Sequence, residues 1–298
     1  MRGAVYVNGT IAPADQAVVP VYDHGFVYGE GVYETLRTYN RVPFLYDKHM
    51  RRLRQSAERL LLDVPFDDAT LLEWIDRTVA AAGELDEAYI RVLLTRGVGE
   101  LTYDPKSTPT PSTVIIVKPL DPIAPRVYEQ GIRISLVDML RNHPKSVNPI
   151  IKSNNLLNNA LAMQAAYRAG AEEGLMCNYR GELTECSQAN FFMVRGGAAL
   201  TPVSAAGLLE GVTRAFIFEM GRELGIDVRE EVLLPKDLES ADEMFITSTT
   251  RELSPVTSLD GRAVGSGQVG PVTKRLLQRY QQRAQELTRT LLSADTRK

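Results

Sequence analysis

Three prolines fall within seven residues at Pro119, Pro122 and Pro125. Proline fixes φ and lacks a backbone donor, so neither a helix nor a central strand runs through such a stretch. The segment predicts a break. An N-terminal domain is expected over 1–120, a linker over 121–128 and a larger C-terminal domain over 129–298. A chain of 298 residues has room for two such domains and buries roughly 75% of its unfolded surface without staples.

Strand and helix signals are mixed on both sides of the break. "MRGAVYVNGTIAP" reads as a hairpin turning at Asn8-Gly9. "GVYETLRTYN" and "RVPFLY" predict two strands around Asn40-Arg41. Asp47 is placed to cap a helix through "KHMRRLRQSAERLLL", and "DDATLLEWIDRTVAAAG" predicts a second helix stopped by Gly83. "EAYIRVLLTRG" and "STVIIVKPL" are β-rich. Beyond the prolines, "RVYEQGIRISLVDM" predicts a strand pair, and a helix follows Lys152 to about Ala169. "GLMCNYRGELTECSQANFFMV" reads as strand, Arg180-Gly181 turn, strand. Later come a short β run "AALTP", a helix "GVTRAFIFEMGRELG", strands "VREEVLL" and "EMFITST", a turn at Asp260-Gly261 and a last helix from about Val272. The order lacks strict βαβ alternation, so the expected class is α+β.

Composition excludes several functions. The net charge is −3, which leaves no basic excess for a phosphate backbone. Two cysteines, Cys177 and Cys186, cannot form a disulfide framework, and with three histidines no metal site is expected. No apolar run reaches the roughly 20 residues of a membrane span, and the N-terminus carries no signal-like segment. A soluble cytoplasmic protein is the expectation.

Five places could carry chemistry. In "NPIIKSNNLLNNALA" one lysine, Lys152, ends an apolar run and is followed by Asn154, Asn155, Asn158 and Asn159. A lysine leaving water needs a partner or a use for its neutral amine, such as a Schiff base; a lone lysine more often ends a strand in solvent. In "GELTECSQANFF", Glu185 could hold a protonated ring nitrogen, or sit on a hairpin surface. In "LLEGVTRAF", Val212 and Thr213 open a helix, where free N–H groups favour an anion, though threonine also serves as a plain cap. "FITSTTREL" places four hydroxyls after an apolar strand. The "RRLR" cluster, Arg51 to Arg54, offers an arginine for phosphate or a solvated helix face, and periodicity does not choose among its three arginines.

Together these describe a pyridoxal phosphate pocket, and the chain resembles the class IV aminotransferases, the fold-type IV pyridoxal phosphate enzymes. "YGEGVYETLR" is similar to the family's first motif and "HMRRLRQSA" to its arginine-leucine-x-x-serine helix. "IKSNNLLNNALA" is similar to the lysine motif, and "GELTECSQANFF" to the glutamate motif. "LLEGVTR" and "FITSTTRELSPV" resemble the two remaining cofactor segments, in order.

The resemblance implies a two-domain fold, like that of D-amino-acid aminotransferases, with pyridoxal 5'-phosphate between the domains. Lys152 would form the Schiff base and shuttle the proton. Arg52, Val212, Thr213 and Thr249 would contact the phosphate, and Glu185 the ring nitrogen. The asparagines would hold the start of the following helix. A homodimer is also implied, with a loop of the partner closing each substrate pocket.

For the substrate, Tyr89 and Arg91 lie two apart in "AYIRVLL" and share a strand face, like the tyrosine-x-arginine pair of branched-chain enzymes. The following loop, "RGVGELTYDP", has Arg96 but not the arginine-x-histidine pair of D-amino-acid enzymes. Tyr33, however, stands where branched-chain enzymes often have phenylalanine, and Leu157 where they often have tyrosine. The reading is ping-pong transamination of branched-chain L-amino acids with 2-oxoglutarate. A D-amino-acid aminotransferase, an (R)-amine transaminase and an aminodeoxychorismate lyase are the alternatives, and neither nucleic acid nor membrane is an expected partner.

Overall fold

The computed structural model describes residues 2–295. Its contacts divide the chain into two units. The first comprises Met1–Asp121, Ile151–Leu156 and Ala284–Lys298; the second comprises Pro122–Ile150 and Leu157–Arg283. This differs from the expected 1–120, 121–128 and 129–298 in two ways. The stretch expected as linker enters a helix at Pro125, and Lys152 joins the first unit rather than the C-terminal one.

In the first unit, strands β1 (Ala4–Val7) and β2 (Thr10–Pro13) form the hairpin over Asn8 and Gly9, both at positive φ. A short helix α1 (His24–Val27) precedes β3 (Gly31–Tyr39), which turns at Asn40 and Arg41 into β4 (Val42–Pro43). Helices α2 (Tyr46–Arg59) and α3 (Asp68–Ala81) follow, then β5 (Ala88–Thr95) and β6 (Ser112–Pro119). The six strands pair antiparallel in the order β2-β1-β6-β5-β3-β4. Strand β3 is buried on both faces. Val32 and Leu36 enter the core with Ile90, Val92 and Leu94 of β5 and with Met50, Leu53 and Ala57 of α2. Glu34 lies in that same apolar row and is fully buried. Asp47 does not cap α2; the cap position is Leu45, in the left-handed region, and Asp47 sits in the first turn, where its charge suits the helix dipole.

In the second unit the expected strand pair after the prolines is instead a helix, α4 (Pro125–Gln130), and one strand, β7 (Ile132–Leu140). Pro125 opens the helix, where its missing N–H costs nothing, and Gly131 ends it at positive φ. Then come α5 (Leu157–Arg168), β8 (Glu173–Cys177), β9 (Leu183–Cys186), β10 (Asn190–Arg195), β11 (Ala198–Pro202), α6 (Val212–Leu224) and β12 (Val228–Glu231). Strands β13 (Glu243–Ser248), β14 (Glu252–Leu259) and β15 (Arg262–Ala263) precede the last helix, α7 (Pro271–Asp295), whose residues from Ala284 on belong to the first unit. The mixed sheet runs β12-β11-β10-β13-β14-β7-β8-β9, and β9 pairs back onto β10 through Glu185 and Asn190. That pairing closes a ring of six strands around Leu175, Phe191, Met193, Ile246 and Val256. Strand runs and helices without strict alternation thus give an α+β fold in two units.

Candidate active site

Lys152 is held by its backbone. Its N–H donates to Ser56 Oγ of α2 at 3.2 Å, and its carbonyl accepts from the N–H of Tyr33 at 2.9 Å. Ser153 bridges to Val32, and Asn154 N–H donates to the Gly31 carbonyl. The lysine segment is therefore an added edge beside β3. Lys152 Nζ stands 4.3 Å from the centroid of the Tyr33 ring. Tyr33 lies on the face of β3 opposite Glu34, with Arg91 of β5 beside it. The guanidinium of Arg91 lies 4.7 Å from the Tyr33 ring centroid and 5.9 Å from that of Tyr89. The expected shared face of Tyr89 and Arg91 is present, and Arg91 Nε is buried without a hydrogen-bond partner. An orphaned buried donor is costly, and an anion would satisfy it.

Of the "RRLR" cluster only Arg52 turns inward. Arg51 is exposed, and Arg54 is tied to Asp68 and to the Phe66 carbonyl at the start of α3. Arg52 donates through Nε and Nη2 to the two oxygens of Glu34, at 2.7 and 2.8 Å. His49, one helical turn earlier, meets Glu34 Oε2 through Nδ1 at 2.7 Å. Burial alone would raise the Glu34 carboxyl. The charges and hydrogen bonds of Arg52 and His49 outweigh it and hold the group far below the usual carboxylate range. Burial also pushes His49 down against the pull of Glu34.

Arg96 is spoken for. It pairs with Glu30 and donates to the Leu60 and Leu61 carbonyls, the open end of α2. It closes a helix end with its whole fork.

In the second unit Glu185 is buried on β9. Arg141 Nε donates to its Oε1 at 2.8 Å, and Asn190 Nδ2 to its Oε2 at 3.1 Å. The same Asn190 amide reaches the Leu209 carbonyl at 2.8 Å, and its Oδ1 packs on Gly211, where an added Cβ would lie 2.0 Å away. Gly211 is the cap position of α6, and no side chain caps that helix. Thr213 is thus not the cap; it lies inside the first turn with Val212 before it, both buried. One asparagine therefore joins the carboxylate to the open helix N-terminus. Thr249 lies in the tight turn between β13 and β14, where Arg251 N–H returns to the Ser248 carbonyl.

Of the asparagines expected to hold the start of α5, Asn158 and Asn159 lie in its first turn. Asn158 links Arg141 to the Leu140 carbonyl, and Asn159 donates to the Ser187 carbonyl. Sequence reasoning also missed Glu34, His49 and Arg141. Glu34 had a usable signal, since a carboxylate in an apolar strand row demands a buried cation. Arg141, after the β7 run, had none.

The family model described as amino-transferase class IV matches residues 31–259. The chain belongs to this family. A Methanocaldococcus jannaschii protein provisionally named a branched-chain-amino-acid aminotransferase is 37% identical over 276 residues, covering 93% of this chain and 94% of its own. A D-alanine aminotransferase of Listeria monocytogenes is 33% identical over 293 residues, covering 96% of each. Among solved structures, the branched-chain amino acid aminotransferase of Escherichia coli superposes with a TM-score of 0.88 at 32% identity, covering 93% of each chain. The fold is therefore that of the fold-type IV enzymes, and the protein is a pyridoxal phosphate-dependent transaminase, acting on amino acids and 2-oxo acids. The residues present suit the cofactor. The first unit, by itself, offers an amine at a strand edge and an inward arginine; the second, by itself, offers the buried Glu185 and an uncapped helix whose Gly211 leaves no room for a side chain. Among the described residues no helix is long and apolar enough to cross a membrane.

Proposed function

We propose that this aminotransferase moves the amino group of branched-chain L-amino acids to 2-oxoglutarate in two ping-pong half-reactions. Pyridoxal phosphate, when bound, supplies an aldehyde and an electron-withdrawing ring. Lys152 Nζ would hold the cofactor and would carry the proton to and from the substrate Cα. Arg52, the Val212 N–H, Thr213 and Thr249 hold the phosphate. Glu185 keeps the proton on the ring nitrogen. Arg91 binds the substrate α-carboxylate, flanked by Tyr33 and Tyr89.

The observation that carries the substrate reading is the buried, unpartnered Nε of Arg91 between two tyrosine rings. Arg96 is engaged with α2, so it is not a second carboxylate clamp of the D-specific kind. The relatives named for branched-chain substrates support the same reading. The D-alanine reading keeps two supports, Tyr33 and the Listeria relative. Half-reaction rates with L-leucine, D-alanine and D-glutamate decide between them. L-Leucine is expected to be fastest; a faster D-amino acid overturns the proposal. Arg91→Ala should raise KM for every amino acid and oxo acid alike while leaving side-chain preference unchanged. A KM rise confined to glutamate and 2-oxoglutarate would move Arg91 from the α-carboxylate to the side-chain carboxylate.

We further read the protein as a homodimer. Residues 18–27 and 98–103 are knit together by Asp23–Val98 pairing, and they expose Val18, Val21, Phe26, Leu101 and Tyr103. An apolar surface of this kind marks an interface. Light scattering of the pure protein should give twice the monomer mass, and Phe26→Glu with Leu101→Glu should lower it.

A further inference from the structure

Glu185 could have been held by amides alone, as Asn190 holds one of its oxygens. Instead a guanidinium stands against the other oxygen. Arg141 follows β7 directly, and its backbone N–H donates to the Cys177 carbonyl at 2.8 Å, which fixes where the side chain starts. Its side chain is 8% exposed. Nε reaches Glu185, and Nη1 reaches Asn158 Oδ1 at 2.9 Å. Asn158 is anchored in turn by its own amide on the Leu140 carbonyl at 2.9 Å. Arg141 is thus braced at both ends.

A buried ion pair contributes little net stability, because removing both charges from water offsets the attraction. An apolar pair of similar volume would hold the fold as well. What the guanidinium adds is a full positive charge within hydrogen-bonding distance of Glu185, on a planar fork that fixes the direction of the contact. An ionised carboxylate has about four acceptor sites, and the two contacts from Arg141 and Asn190 leave others for a further donor. When a proton is shared between such a carboxylate and an aromatic nitrogen, the neighbouring cation keeps it on the nitrogen.

We propose that Arg141 is a positioning residue that fixes the orientation of the Glu185 carboxylate, which would hold the proton on the nitrogen of the cofactor ring. This rests on the reading of Glu185 given above. Asn158 is the outer brace of the same device, a role distinct from capping α5.

The test uses the holoenzyme loaded with pyridoxal phosphate carrying ¹⁵N in the ring, read by NMR. The wild type should show a protonated-pyridine signal. Arg141→Gln should move the signal toward that of neutral pyridine, with kcat falling more than cofactor affinity. Arg141→Lys, which restores the charge without the fork, should return the signal most of the way. Asn158→Ala should move it in the same direction as Arg141→Gln by a smaller amount, and it decides the matter if Arg141→Gln does not fold. Glu185→Gln is run alongside. If Glu185→Gln shifts the signal while the Arg141 and Asn158 variants leave it unchanged, the role of Arg141 is overturned and that of Glu185 stands. If Glu185→Gln leaves the signal unchanged, the reading of Glu185 itself fails.

Discussion

In the first unit the carboxylate is the sheltered member of an arginine–glutamate pair. Glu34 is 0% exposed and Arg52 11%. In the second unit the two are nearly level, with Arg141 8% and Glu185 6% exposed. The partners differ more than the burial does. Glu34 receives Arg52 and His49 inside an apolar strand row, so its acceptor sites are turned toward the core and α2. Arg141, by contrast, is fastened to Asn158 on its far side, and Glu185 takes one contact on each oxygen. The same pair of residue types is thus built in reverse. On the function proposed above, the first unit would use a carboxylate to present an arginine, for an anion, and the second would use an arginine to present a carboxylate, for a proton-bearing nitrogen.

The largest effect should come from the residue that neither pair can replace. Lys152→Ala should abolish transamination and the visible absorbance of lysine-joined cofactor while leaving the fold intact. Borohydride labelling at another lysine in that variant would displace it. Glu185→Gln should keep the cofactor bound and lower kcat on the order of 10²-fold or more, because the amide cannot hold the ring proton. Glu34→Gln should cost the first unit about 3–5 kcal/mol in denaturant titrations, the usual range for breaking one side of a buried pair. Arg52→Ala should weaken cofactor binding about 10- to 150-fold, as for the loss of a charge-assisted contact worth roughly 1.5–3 kcal/mol. Arg51→Ala and Arg54→Ala should do far less, since neither faces Glu34.

The smallest effect is a pH dependence confined to the first pair. Burial holds His49 below its ordinary value, so the unfolded chain takes up that proton first. Stability should therefore decline as pH falls below about 6.5. Glu34 is held far below the carboxylate range, so its contribution is complete above about pH 4.3 and is lost as the pH falls toward its folded value. Melting temperatures of wild type and His49→Asn between pH 5 and 8 should separate the two, with the decline below about 6.5 absent in the variant.

The difference between the pairs also explains what is legible in the sequence. The motifs around Lys152, Arg52, Glu185, Val212, Thr213 and Thr249 are local stretches, and each can be read as it stands. The Asn8-Gly9 and Asp260-Gly261 turns are equally readable, because positive φ has few residue solutions. The supports are not. Glu34 and Arg52 are 18 positions apart, and Arg141 and Glu185 are 44 apart; each pair meets only after strands have registered. The helix over Pro125–Gln130 reads as a strand because its apolar residues suit a strand equally well, and only the proline at its first position marks it as a helix. Chain order puts Lys152 in the later domain, whereas its backbone hydrogen bonds go to Tyr33 and Ser56.

The reversed pairs can be set against each other in one measurement: the cofactor dissociation constant and the kcat at saturating cofactor, for Glu34→Gln and Glu185→Gln side by side. Glu34→Gln should raise the dissociation constant and leave saturated kcat near wild type, because it only unsettles the arginine proposed to hold the phosphate. Glu185→Gln should do the opposite. Equal losses in both quantities for both variants, or the two patterns exchanged, would contradict the account.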